Sequence, residues 1–255
     1  YRMHPAISCF PSLRFYKGTL EDDPGLAKRP PRPWHEKRCF SPYVFYDVVD
    51  GRAEEVQSSW KNELEAQLMR SMTRQGISVY GVAPESIGII APYNAQVRHV
   101  RRLLADALGT EVAARLEVNS VDGFQGREKE IVLLSTVRSD FKRAKWETRG
   151  VGFVKDERRI NVSLTRAMHS LFVLGNAATL KGAPVWKELI ADASERDCLL
   201  RATSPLNIWF ETASKEAAPM RIATTSGEAE KSSAGAVGVE ASDTTRRRVR
   251  REREH

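Results

Sequence analysis

Short apolar runs alternate with amphipathic stretches through most of the chain. Residues 43–49, 87–90, 117–121, 131–137 and 171–174 are brief and rich in branched or aromatic side chains. Runs of that length suit strands buried on both faces of a parallel sheet. Between them the apolar period lengthens. Leu64, Leu68 and Met72 recur every four residues within 62–75, with Gly76 placed to end a helix. Asn94 can cap a second helix whose inner face is Val97, Val100, Leu104 and Leu108, and Gly109 closes it. Residues 157–168 predict a third helix, capped by Asp156, with Ile160, Leu164 and Ala167 inward. Pro184 opens a fourth, carrying Trp186, Leu189, Ile190 and Ala193. Strands alternating with helices from 43 to 195 predict an α/β fold: a mostly parallel sheet with helices on both faces.

Two regions break the pattern. Residues 18–40 hold Pro24, Gly25, Pro30, Pro31 and Pro33 and read as loop. From 211 to 255 large apolar side chains become scarce, so this segment cannot offset its ordering entropy and reads as a disordered tail following a domain over 1–210. The tail ends in Arg246, Arg247, Arg248, Arg250, Arg251 and Arg253, either a nucleic-acid or nuclear-import patch or a solvated basic end. The whole chain carries a net charge of +7 and a pI of about 9.4, which suits a polyanionic partner. Cys9, Cys39 and Cys198 are odd in number and far apart, so neither a disulfide framework nor a zinc site is indicated, and a reducing compartment, cytoplasm or nucleus, is expected. No apolar run approaches the roughly 18 residues of a membrane span.

The stretch Val121 to Ser139 (VDGFQGREKEIVLLSTVRS) joins a glycine-punctuated polar loop to the strand at 131–137. Gly123 and Gly126 permit a tight turn or a close approach to a ligand. Taken alone it is a surface turn before a core strand. It is accompanied, in order, by Tyr1-Arg2-Met3-His4-Pro5, by Ser59-Trp60-Lys61-Asn62-Glu63-Leu64-Glu65-Ala66 and Ala91-Pro92-Tyr93-Asn94, and by Gly152-Phe153 through Asp156-Glu157-Arg158-Arg159-Ile160-Asn161-Val162-Ser163-Leu164-Thr165-Arg166-Ala167 to Gly175-Asn176. Over residues 1 to about 190 this set resembles the second RecA-like domain, of P-loop NTPase fold, in superfamily 1 helicases of the Upf1-like group, the nonsense-mediated-decay helicases and senataxin relatives.

That resemblance implies the C-terminal half of an ATP-dependent, 5′-to-3′ helicase, with RNA favoured over DNA. It implies that Tyr1 stacks on adenine, that Arg2 and Arg166 contact phosphate, with Arg166 as an arginine finger presented from a helix, that Gly126 lets backbone approach the γ-phosphate, and that Glu128 accepts from the ribose hydroxyls. Arginine suits the phosphate role, being permanently charged and able to bind bidentately. Pro92, Tyr93, Asn94, Ser120, Val121 and Asp122 follow strands and can grip a single strand through backbone amides and small polar groups. Arg159 either orients neighbours by ion pairing or meets the nucleotide; His4 reads as a packed or capping histidine rather than a base; Glu65 either meets Arg2 or lies on a solvated helix face; Arg127 and Lys129 are phosphate contacts or surface charge. The chain contains no G-x-x-x-x-G-K-[ST] loop and no Asp-Glu magnesium pair. Because it opens directly on the Tyr1 motif, truncation is expected, with the Mg2+ ligands in a missing N-terminal RecA-like domain and no ATP hydrolysis by this part alone. Other departures are Trp60, where Tyr is usual, and Met168-His169-Ser170, where a basic residue, a small residue and Gly are frequent. The competing reading is a non-enzymatic nucleic-acid-binding scaffold of helicase-derived fold.

Overall fold

Six strands form one sheet in the computed structural model, which describes residues 3–21, 25, 30–139 and 156–218. They are β1 (Tyr43–Val48), β4 (Ile87–Ile90), β5 (Glu117–Asn119), β6 (Lys129–Ser135), β7 (Ala167–Gly175) and β8 (Leu199–Ala202), in the order β5-β4-β6-β7-β1-β8. Every pairing in the sheet is parallel. A separate antiparallel hairpin pairs β2 (Ala53–Val56) with β3 (Ser59–Asn62). The expected α/β fold of RecA-like type, with its mostly parallel sheet, is what forms.

The two-residue period of a strand divides the core into two layers. Val44, Tyr46, Ile87, Ile89, Ile131, Leu133, Phe172 and Leu174 face one side, packed under helices α2 (Glu63–Ser78), α3 (Asn94–Leu108) and α8 (Leu206–Ala213). Tyr43, Phe45, Ile90, Val132, Leu134, Leu171 and Val173 face the other, under α1 (Pro5–Tyr16), α5 (Glu157–Leu164) and α7 (Pro184–Glu195). Two shorter helices, α4 (Thr110–Arg115) and α6 (Ala177–Leu180), complete the set of described helices. Each such side chain contributes about 1.5–3 kcal/mol on burial, so the central strands anchor both layers.

Local chemistry sets most of the boundaries, and several differ from the pattern-based expectation. Asn62 caps α2 by accepting from the Glu65 N–H at 3.2 Å. Gly76 does not end that helix: it lies inside it, against Ile87 and Val82, and the helix continues to Ser78. Asn94 is the first helical residue of α3, and Tyr93 stands at the cap position. Asp156 caps α5 through the Arg158 and Arg159 amides, as expected. That helix stops at Leu164, however, and Ala167 opens β7. Helix α1 was not anticipated. Its Pro5 occupies the first turn and Pro11 lies within it, and His4 caps it by accepting from the Ala6 N–H at 3.1 Å. The loop expected at 18–40 contributes Trp34, Cys39 and Phe40 to the core from two short 3-10 turns. The boundary expected at 210 falls inside α8, whose Ala213 packs in the core, and Ala217 bridges to Lys37. The expected disordered tail from 219 onward lies outside the described residues.

Candidate nucleotide and nucleic-acid edges

Six strands running one way give the sheet a single amino edge and a single carboxyl edge. The motif residues divide between them. Pro92, Tyr93 and Asn94 follow β4 and Ser120, Val121 and Asp122 follow β5, so both segments lie at the carboxyl edge, joined by the Ala91 N–H donating to the Asn119 carbonyl at 3.1 Å. Asn94 and Asp122 are exposed there. Val121 is not: its side chain is buried with Phe124, which leaves its backbone alone to meet a ligand. Ser120 Oγ accepts from the Gly123 N–H at 3.2 Å.

Gly126, Arg127 and Glu128 precede β6, and Arg166 precedes β7, so these four lie at the amino edge. The Lys129 N–H donates to the Arg166 carbonyl at 3.1 Å, and the His4 N–H donates to the Met168 carbonyl at 2.8 Å. The structure therefore brings Gly126, Glu128 and Arg166 together, and places His4 at the same edge. Tyr1 and Arg2 themselves lie outside the described residues. Gly126 has φ +79° with open space where a Cβ would stand, so its backbone is accessible and favours glycine. Glu128 is exposed. Ligands of open α/β sheets usually sit beyond the carboxyl edge; here only the candidate strand grip does.

Arg166 is not presented from a helix as expected. It lies on the turn between α5 and β7, half-buried, with Nε donating to the Val162 carbonyl at 3.0 Å and Nη2 to Thr165 Oγ1 at 3.0 Å. Two neutral acceptors orient the guanidinium without neutralising it, an arrangement that fits a phosphate ligand. Arg127 and Lys129 are engaged in ion pairs: both pair with Glu117, and Lys129 Nζ also donates to the Glu85 carbonyl at 2.7 Å. Partial burial opposes ionisation of Glu117, but these two cations hold its carboxyl below the ordinary range.

Two segments cross one face of the sheet and connect its edges. Residues 120–128 descend from the end of β5 to the start of β6, pinned midway by the fully buried Phe124. Phe124 lies over β4 where Gly88 leaves room; a Cβ at Gly88 would overlap its ring. Helix α5 runs beside this crossing, with its start near Asp122 and its end beside Arg166. Arg159 Nη2 pairs with Asp122 Oδ2 at 2.9 Å, and its Nε lies 3.6 Å from Asp156 Oδ2. The orienting reading of Arg159 is thus the one its contacts describe. The two crossings are tied at both ends, by this ion pair and by the Lys129–Arg166 backbone bond.

Glu65 does not lie on a solvated helix face, and Arg2, the partner considered for it, lies outside the described residues. Glu65 is wholly buried, with Oε2 accepting from Ser135 Oγ at 2.6 Å and the Val137 N–H at 2.9 Å, and Oε1 accepting from Asn62 Nδ2 at 3.1 Å. Gln96 closes the network: its Oε1 accepts from the Asn62 N–H at 2.8 Å, and its Nε2 donates to the Asn62 carbonyl and to Ser135 Oγ. Burial raises the Glu65 carboxyl to about 7, against the opposing hydrogen bonds from Ser135, Val137 and Thr136. Beyond Val137, Arg138 stacks over the Trp60 ring at 4.2 Å and Ser139 Oγ accepts from the Ala53 N–H at 2.7 Å, joining this corner to the hairpin. Sequence showed Glu65 as a motif member but gave no sign of its burial.

Residues 1–178 match the family model described as an AAA domain. The chain is 39% identical over 215 residues to the probable helicase MAGATAMA 3 of Arabidopsis thaliana, covering 82% of this chain and 26% of that protein. It is 42% identical over 214 residues to the helicase SEN1 of Saccharomyces cerevisiae, covering 80% of this chain and 9% of that protein. It is 36% identical over 212 residues to the ATP-dependent helicase upf1 of Schizosaccharomyces pombe, covering 80% of this chain and 22% of that protein. The chain thus spans at most about a quarter of the length of these relatives. The matched model and these helicase relatives place the chain in the AAA-domain family of Upf1- and Sen1-like superfamily 1 helicases.

Proposed function

We propose that this chain is the second RecA-like, C-terminal half of an ATP-dependent helicase motor that advances 5′ to 3′ along single-stranded RNA, acting in the cytoplasm or nucleus. The observation that carries this reading is the division of motif residues between the two sheet edges. Gly126, Glu128 and Arg166 stand at the amino edge with His4, and the segments 92–94 and 120–122 stand at the carboxyl edge. Residues 120–128 join the two without leaving the sheet face.

At the amino edge, Arg166 meets charge developing on the γ-phosphate, Arg2 contacts phosphate, the Gly126 backbone approaches it, Glu128 accepts from ribose and Tyr1 stacks on adenine. ATP with Mg2+ supplies the phosphoryl chemistry, and the metal's ligands belong to the N-terminal RecA-like domain of the longer protein. To reach phosphate, Arg166 exchanges its bonds to Val162 and Thr165 for stronger charge-assisted ones. At the carboxyl edge, backbone and small polar groups grip sugar and phosphate with little regard to base, which suits a motor moving over any sequence. Without the N-terminal domain this part does not turn over ATP.

The test is Arg166→Ala in the full-length protein. RNA-stimulated ATPase falls by about 10³–10⁵-fold, while single-strand affinity without nucleotide stays near wild type. ATPase near the wild-type rate would remove Arg166 from the catalytic role.

A further inference from the structure

A second cationic feature stands beside the carboxyl edge, and of its lining only Lys61 belongs to the quoted motifs. Between the β2–β3 hairpin and the flank of α3 lies an open cleft of about 360 Å³, lined by Val56, Lys61, Ala95, Arg98, His99 and Arg102. No carboxylate is among these lining residues. Glu54 pairs with Lys61 at 3.1 Å and Glu63 with His99 at 2.6 Å, both from outside the lining. Arg102 Nη2 lies 3.2 Å from His99 Nδ1. Arg98 is exposed and has no ion-pair or hydrogen-bond partner among the described residues.

The cleft is held in shape by buried hydrogen bonds. Gln96 ties Asn62 of the hairpin to α3 in both directions, and the Ala95 N–H donates to Ser59 Oγ at 3.1 Å. Its walls are therefore fixed, which lowers the ordering cost of binding. The cleft also begins where the 92–94 segment ends, because Ala95 lines it and Asn94 precedes Ala95. Asn94, Arg98 and Arg102 follow one another at four-residue spacing along one helix face, about 6 Å apart along the axis. An open, rigid channel with such a ladder of donors matches an extended polyanion better than an enclosed small molecule.

We propose that this cleft carries the sugar-phosphate backbone of a single-stranded nucleic acid onward from residues 92–94, with Arg98 as its principal phosphate contact and Lys61 and Arg102 as its flanking cations. This rests on the single-strand reading of the carboxyl edge given above. Arg98 and Arg102 read phosphate and not base, so the contribution is independent of sequence and lost with salt.

The experiment uses the full-length protein and a fluorescent single-stranded oligouridylate, with anisotropy measured across a salt series. Arg98→Ala is expected to weaken binding several-fold at low salt and to reduce the slope of log K against log salt by about 0.7–1. Arg98→Glu and Arg102→Glu weaken it further. Arg115→Glu is the control, because Arg115 pairs with Glu85 before β4, at the opposite edge. Wild-type affinity and slope in Arg98→Glu, or equal weakening by Arg115→Glu, would overturn the cleft while leaving the strand reading intact. Absence of oligouridylate binding by the wild-type protein would instead overturn the strand reading, and the cleft with it.

Discussion

Glu65 holds Val137, 72 residues further along the chain, by accepting its backbone N–H at 2.9 Å. Val137 has φ +68°, a left-handed conformation that costs a β-branched residue about 1–3 kcal/mol. Its carbonyl accepts from Asn62 Nδ2 at 3.1 Å, so the residue is clamped on both sides by the start of α2. Strain of this kind persists only where the surroundings over-determine it. Here it turns the chain sharply as it leaves β6, which sets Arg138 over Trp60 and Ser139 against Ala53.

Stability is expected to depend on the Glu65 proton. Burial raises its carboxyl from 4.5 to about 7 in the folded protein. Between these values the native state keeps a proton that the unfolded chain has released. This contribution to stability is complete below about 4.5 and is lost as the pH rises toward 7. Denaturant titrations across that window should show the slope, and Glu65→Gln should remove it. Glu65→Ala, which strands the Val137 N–H and Asn62, should cost about 2–4 kcal/mol at any pH. An unchanged slope in Glu65→Gln would assign the titration elsewhere.

Gly88→Ala should be destabilising although alanine suits a strand at least as well. The added methyl overlaps the Phe124 ring, and the fully buried ring has little room to retreat. A loss of about 1–3 kcal/mol is expected. Phe124→Leu combined with Gly88→Ala should recover part of it, and a double-mutant cycle measures the coupling. Additive losses would show that the two residues do not press on each other at this face of the sheet.

The Arg159–Asp122 pair should contribute little to stability, because its side chains are 47% and 66% exposed. Thermal unfolding of Arg159→Ala should differ from wild type by under about 1 kcal/mol. Its expected effect is functional: in the full-length protein, RNA stimulation of ATPase weakens while basal ATPase and fold persist. Charge exchange, Arg159→Asp with Asp122→Arg, should restore part of the stimulation. Equal stimulation in wild type and Arg159→Ala would confine the pair to surface decoration.

Much of the sheet was legible because buried parallel strands read as short apolar runs, as at Ile87–Ile90. Strand β8 was not, since Leu199–Ala202 includes the exposed Arg201 and pairs only with β1. The hairpin escaped for a related reason: Ala53–Val56 and Ser59–Asn62 are largely polar and are secured by Asn62, Gln96 and Ser139, not by an apolar face. Helix α1 was obscured by Pro11 and a weak amphipathic pattern. Within the candidate site, motif order singled out Gly126, Glu128 and Arg166 as candidates, but not their separation from the 92–94 and 120–122 segments by the length of the sheet. Nor could a linear pattern show Glu65 as buried, because carboxylates are so seldom enclosed completely. The Arg98 cleft shares only Lys61 with the motifs and exists only once the hairpin is folded against α3.

The segment 120–128 has its ends fixed by the lengths of the strands it runs beside. At about 3.3 Å per residue, the seven residues of β6 separate the two edges by roughly 20 Å. Strand β6 therefore works as a ruler. A two-residue deletion within it would keep every side chain on its own face, yet bring the edges together by about 6–7 Å. Residues 120–128 would then be too long for the interval they span. Chain length here, more than side-chain identity, sets the step between one edge and the other.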